Sequence, residues 1–127
     1  MITNIAIPLP VQGEILKLYK VSRRQNLDIS TFSAAFKMAR TNDRIDRIDI
    51  AFGGVAATTL KMEKTEEYLK GKEFTLETFE KAGRIARDEV TPVTDVRGAK
   101  EYRSQLAENI LSKFYYEAAG ERELICR

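Results

Sequence analysis

Between Asp28 and Arg40 apolar and polar positions alternate, with Phe32, Ala34, Phe36 and Met38 on one side and Thr31, Ser33 and Lys37 on the other. A two-residue period is the mark of a half-buried β-strand. Thr41-Asn42-Asp43 supplies a turn, and Arg44 to Ala56 alternates again, Ile48, Ile50 and Phe52 opposing Arg47 and Asp49. Together they predict an antiparallel hairpin with one apolar face. A looser alternation over Thr3 to Pro8, closing on Pro8-Leu9-Pro10, predicts a short edge strand, because proline cannot donate to a sheet ladder.

The period changes in the second half. A short helix is predicted from about Thr65, its cap candidate, to Lys70, with Gly71 just past the end. Leu76, Phe79, Gly83, Ala86 and Val90 then recur at steps of three and four, predicting a helix over Thr75 to Glu89 that Pro92 stops. A last helix is predicted from Ala99 to Ala119. It carries Tyr102, Leu106, Ile110, Phe114 and Ala118 on one side, and Gly120 ends it. Strands followed by helices imply an α+β fold: an antiparallel β-sheet of three to four strands covered on one face by about three helices.

Composition narrows the function classes. At 127 residues the chain suits one domain, 1–127. Its 43% hydrophobic and 31% charged residues are those of an ordinary globular protein, and no apolar run approaches the roughly 20 residues that cross a bilayer. Met1 to Pro10 lacks the basic start and long apolar stretch of a signal peptide, so a cytoplasmic location without membrane contact is expected. With 21 basic and 19 acidic residues, the net charge of +2 gives no footing for a nucleic-acid partner. The single cysteine, Cys126, excludes thiolate metal clusters and intrachain disulfides. Histidine is absent, which removes the Ser-His and Cys-His nucleophile pairs and disfavours an independent hydrolase or transferase.

Three segments concentrate the remaining chemistry. Lys20, Arg23, Arg24 and Asp28 crowd the polar approach to a core strand; composition alone reads this as a solvated loop of exposed ion pairs, each contributing roughly 0 to 1 kcal/mol. Phe52-Gly53-Gly54 ends a strand instead of opening a helix and lacks any G-x-G-x-x-G, so it reads as a bulge or a close backbone approach and not as a phosphate cradle. Asp95-Val96-Arg97-Gly98 precedes the last helix, where Asp95 or Thr94 is placed to cap it or to order the turn. Tyr102 is expected to tuck its ring into the core, and Arg103 to meet acidic groups of this domain or a neighbour. Glu63, Lys64, Glu66 and Glu67 read as a solvated helix surface, and no carboxylate pair stands out as a general acid and base.

Taken in order, Lys20-Val21-Ser22-Arg23-Arg24 leading to Asp28-Ile29, Phe52-Gly53-Gly54, and Asp95-Val96-Arg97-Gly98-Ala99-Lys100-Glu101-Tyr102-Arg103 resemble one family. They look like the C-terminal domain of the FAD-binding subunit of molybdenum hydroxylases, the xanthine dehydrogenase and carbon-monoxide dehydrogenase type, across nearly the whole chain. The resemblance implies a component of an oxidoreductase, not catalytic alone, beside a flavin that receives electrons from iron–sulfur clusters. Its implied partners are an FAD-binding domain or chain, an iron–sulfur subunit and a molybdopterin subunit. It implies Lys20 as a cofactor-facing residue, with Asp28 opposing or orienting its ammonium, and with Gln25-Asn26-Leu27 where relatives often carry more acid. The longer FAD-binding portion that begins such subunits is expected to be absent, so that FAD belongs to the assembled enzyme and is not held tightly by this chain. An exposed apolar or mixed patch near Lys20 to Asp28 is then expected, docked by the flavin domain or covered by self-association into a homo-oligomer. A flavin-free interaction or dimerisation module that keeps the fold is the alternative.

Overall fold

A computed structural model describes residues 1–24 and 28–125, with side chains to Gly120; Cys126 and Gln25-Asn26-Leu27 lie outside the described residues. Four strands, β1 (Glu14–Val21), β2 (Phe32–Thr41), β3 (Arg44–Gly53) and β4 (Leu60–Lys61), form one antiparallel sheet in sequence order. Three helices follow, α1 (Glu63–Leu69), α2 (Leu76–Glu89) and α3 (Lys100–Ile125). The α+β architecture expected from the alternation is the one observed.

The central hairpin follows the apolar pattern. Phe32, Ala34, Phe36 and Met38 are buried, as are Ile48, Ile50 and Phe52 on the partner strand. Register pairs Ala39 with Arg47 and Arg40 with Ile45, leaving Asp46 as the extra residue of a bulge. The bulge reverses the strand's parity, which is how odd-numbered Ile45 joins even-numbered Ile48 and Ile50 in the core. Asn42 turns the hairpin at φ 56°.

The edge strand is not where the alternation placed it. Residues 1–10 belong to no strand and are exposed, and β1 lies farther along, pairing Tyr19 with Ala34 and Lys20 with Ser33. Its pattern is masked because Lys17 shares the helix-facing side with Ile15, Tyr19 and Val21. The short β4 also escaped the pattern, since two residues cannot show a period. Beside it the carboxylate of Glu66 accepts the Ile50 N–H at 2.7 Å, extending the cover of that edge.

Helix ends depart from expectation in two places. Thr65 does not cap α1: the helix begins at Glu63, and Thr65 is buried inside it. Its orphan amides are met from α2, where Glu89 accepts from the N–H groups of Lys64 and Thr65 at 3.0 Å and from the Thr65 hydroxyl at 2.8 Å. Gly120 does not end α3, which continues to Ile125; it has an ordinary negative φ, and glycine within a helix costs only about 1 kcal/mol. Thr75, expected as the first residue of α2, is its cap and accepts from the Thr78 N–H at 3.3 Å, while Gly71 follows α1 at φ 76° as expected.

All three helices pack on the sheet face that carries Phe36. Phe114 of α3 stacks on Phe36 with centroids 4.6 Å apart, and Phe79 of α2 joins them at 5.9 Å from Phe114. Gly83 allows the two long helices to touch: a Cβ there would sit 2.6 Å from the Glu108 carbonyl oxygen. Helix propensity alone would make Gly83→Ala stabilising by about 1 kcal/mol, but the forced separation of α2 and α3 outweighs it. A net loss of about 1 to 2 kcal/mol is expected in chemical denaturation, and a gain would show that the helices part without cost. Among the described residues no helix is long and apolar enough to cross a membrane.

Candidate functional site

The three motif segments meet at Thr31. This residue is 3% exposed, although alternation had assigned it to the polar face of a strand. Its N–H donates to the Val21 carbonyl at 2.8 Å, and its hydroxyl donates to the Arg97 carbonyl at 3.1 Å. Gly54, at φ 81°, lies so close that a Cβ would stand 2.6 Å from the Thr31 carbonyl oxygen; at Gly98 a Cβ would stand 2.8 Å from the Thr31 methyl. Both glycines are therefore needed for close approach, as read for Phe52-Gly53-Gly54.

Behind Thr31, Asp95 orders the turn into α3. Its Oδ1 accepts from the N–H of Arg97 at 2.8 Å, the N–H of Gly98 at 3.3 Å and Nη2 of Arg103 at 2.8 Å. Thr94 caps the helix by accepting from the Lys100 N–H at 3.1 Å. Tyr102 is not in the core; its ring is 49% exposed, and Arg103 is buried in its stead. The reason is that α3 turns a guanidinium toward a waiting carboxylate and the Val93 carbonyl, which accepts from Nη1 at 2.8 Å. Nε of Arg103 is buried without a partner among the described residues, so Asp95 and Val93 carry the whole compensation.

The Arg103 hydrogen bond, aided by the Arg97 and Gly98 amides, holds the Asp95 carboxyl below the usual carboxylate range. A depressed folded-state pKa gives stability that is present above the unfolded-state pKa and is lost as pH falls through the folded one. Asp95→Asn should therefore flatten the acid limb of a plot of melting temperature against pH while leaving its neutral plateau lower. Parallel acid limbs for the two proteins would remove Asp95 from the account.

On the solvent side of Thr31 lies a groove of about 270 Å³. Arg23, Arg24 and Arg97 border it with Asp28, whose Oδ2 accepts from the Arg24 N–H at 3.2 Å. Ile29 and Val96 add exposed apolar surface at 66% and 84%. Lys20 does not line the groove. It stands exposed on β1, and no hydrogen bond or ion pair joins it to Asp28 among the described residues. Its neighbours are those of the open sheet face: by strand alternation Leu16, Leu18 and Lys20 share that face with Ser33, Ala35, Ala51 and Gly53. Leu16 and Leu18 are 43% and 72% exposed, and a depression of about 330 Å³ runs from Leu16 over Ala35 and Ala51 to Lys61. Asp28 and Lys20 thus belong to adjoining surfaces, a groove rich in arginine and a sheet face where apolar and small side chains lie among Lys37, Asp49, Lys61 and Glu66. Thr31 and Arg97 escaped the sequence reading as site residues, though Arg97 sits in the quoted motif; nothing in the local alternation singles out Thr31.

Residues 17–118 match the CO dehydrogenase flavoprotein C-terminal domain. The chain is 30% identical to the xanthine dehydrogenase of Emericella nidulans over 97% of its own length and 9% of the relative's. It is 28% identical to the carbon monoxide dehydrogenase medium chain of Hydrogenophaga pseudoflava, over 89% of this chain and 39% of that one. In three dimensions it matches the carbon monoxide dehydrogenase of Hydrogenophaga pseudoflava that lacks the Mo-pyranopterin moiety, with a TM-score of 0.78 at 29% identity, covering 84% of this chain and 37% of the other. The chain spans less than two fifths of the length of each of these relatives.

Proposed function

Because the chain belongs to the CO dehydrogenase flavoprotein C-terminal domain family, we propose that it is a component of an FAD-containing molybdenum hydroxylase. In this reading it packs beside the flavin-binding portion and assists electron transfer from iron–sulfur clusters to FAD. The observation that carries the reading is the convergence of all three motif segments on Thr31, which fixes a charged groove beside an open, partly apolar sheet face. Exposed Ile29 and Val96 at that groove, and exposed Leu16 and Leu18 on the adjoining sheet face, are apolar surface of the kind a partner covers.

The described residues do not fit a complete FAD. A dinucleotide pyrophosphate needs a row of free backbone N–H groups, and the positive-φ glycine at the junction, Gly54, follows the end of β3 instead of opening a helix. One flank of a flavin held by a partner is what these surfaces suit, with Lys20 and Asp28 as the residues turned to it. FAD supplies the two-electron chemistry; this chain supplies charge and shape. An ammonium favours the more negative, reduced cofactor, and a carboxylate disfavours it.

The expected result is that Lys20→Ala lowers the flavin midpoint potential by on the order of 20 mV, taking one largely screened charge on a two-electron couple. Asp28→Asn should shift it the other way. Spectroelectrochemical titration of the chain reconstituted with its flavin-binding portion reads both, and equal potentials for Lys20→Ala and the parent would leave Lys20 a structural residue. A purified assembly without the visible absorption of a flavin would instead favour a flavin-free interaction module.

A further inference from the structure

Residues 2–13 contain no charged side chain, and within them Ile5, Ile7, Leu9 and Val11 recur at every second position. They are 77%, 79%, 82% and 66% exposed, in a segment that joins no sheet. Pro8 and Pro10 occupy the intervening positions. In an extended strand the N–H groups of successive residues point to opposite edges and those two apart to the same one, so both prolines strip donors from the same edge. The other edge keeps the N–H and carbonyl groups of Ile5, Ile7 and Leu9. Such a segment pairs on one side only and serves as the last strand of a sheet.

The nearest free edge is that of β1, and the turn between them excludes it. The Glu14 N–H donates to the Val11 carbonyl at 3.1 Å, and only Gly13 of the two central residues has a positive φ, at 91°. Tight hairpins that keep their strands together need positive φ at the first central residue; positive φ at the second alone gives a twist of the wrong hand, which splays the strands. Leu9 and Ile7 therefore leave β1 instead of pairing with Leu16 and Leu18.

We infer that residues 5–11 are an edge strand for a sheet of the flavin-binding portion, docked by the edge of Ile5, Ile7 and Leu9 with their apolar side chains buried. The inference rests on the function proposed above and names the contact that joins the two parts. Two observations choose this occupant over a second copy. The family match begins at residue 17, after the segment, while 97% of the chain aligns with a relative about ten times its length. The segment thus has a counterpart in the relative that lies outside the stretch matched by the domain family.

The test uses the part of the Hydrogenophaga pseudoflava medium chain that this chain does not match, produced with FAD, as the probe. Backbone amide exchange is followed on the full chain alone and with the probe. Alone, the amides of Ile5, Ile7 and Leu9 should exchange as in an unfolded peptide; with the probe all three should slow by at least about tenfold, and Ala6 should not. Deleting residues 2–10, or Ile7→Asp, should weaken binding by at least about tenfold, and Asn4→Asp should not. Affinity unchanged by the deletion overturns the inference while leaving the proposed partnership standing. Protection in the lone chain also overturns it, assigning the strand to a second copy if it rises with concentration and to β1 if it does not. Failure of both the full and the shortened chain to bind overturns the partnership, and this contact with it.

Discussion

Phe114→Ala is expected to lower the free energy of unfolding by about 3 to 5 kcal/mol. Phe114 has no exposed surface and is the contact between layers, stacked at 4.6 Å on Phe36 of the sheet and at 5.9 Å from Phe79 of α2. Removing the ring loses its transfer free energy and leaves a cavity bounded by other rings that cannot close in without moving a strand. Urea denaturation should show the midpoint falling at unchanged slope. Tyr116, 60% exposed on the same helix, is the control, with an expected change within about 0.5 kcal/mol. A loss below about 1.5 kcal/mol at Phe114 would mean that the sheet and helix layers are not held by this stack.

Gly54→Ala is expected to cost about 2 to 4 kcal/mol although it adds one methyl group at an exposed position. Two penalties combine. Alanine at φ 81° is strained, and its Cβ would press to 2.6 Å on the Thr31 carbonyl oxygen, a backbone atom that cannot rotate away. Thr31 is tied at its N–H to Val21 and at its hydroxyl to Arg97, so the displacement passes to the groove. The same variant should therefore alter amide exchange at Val96 to Gly98 as well as stability. Exchange confined to Gly54 and its chain neighbours would show that the three segments are not mechanically joined.

The sheet core and the two long helices were legible because their burial is one-sided and periodic. Phe32 to Met38 and Phe79 to Ala86 each write their environment into the spacing. What the sequence hid was decided by contacts at long range. Glu89 takes over the capping that Thr65 was expected to perform, and nothing near Thr65 announces a carboxylate 24 residues away. Arg103 and Tyr102 differ by one helical step, and the choice between them depends on where Asp95 stands. Thr3 to Pro8 carry the alternation of a strand but join no ladder among the described residues. The candidate site was legible as three motifs, but their meeting point was not, since a threonine at the start of a strand looks the same whether it is buried or wet.

The cover of the sheet comes from the end of the chain, and this has a consequence for biosynthesis. β1 to β4 are complete by Lys61, each strand beside its sequence neighbour, so the meander can pair with little loop-closure cost as it emerges from the ribosome. Phe36, however, meets its stacking partner only when α3 has been made. At 5 to 20 residues per second, translation of its 26 residues takes about 1 to 5 s, far longer than the microseconds in which a hairpin forms. For that interval the nascent sheet shows water its open face and the part of its core face around Phe36 that α1 and α2 leave to α3. A translational pause within α3 prolongs this state, and chaperone binding to stalled chains should drop once residue 114 has cleared the exit tunnel.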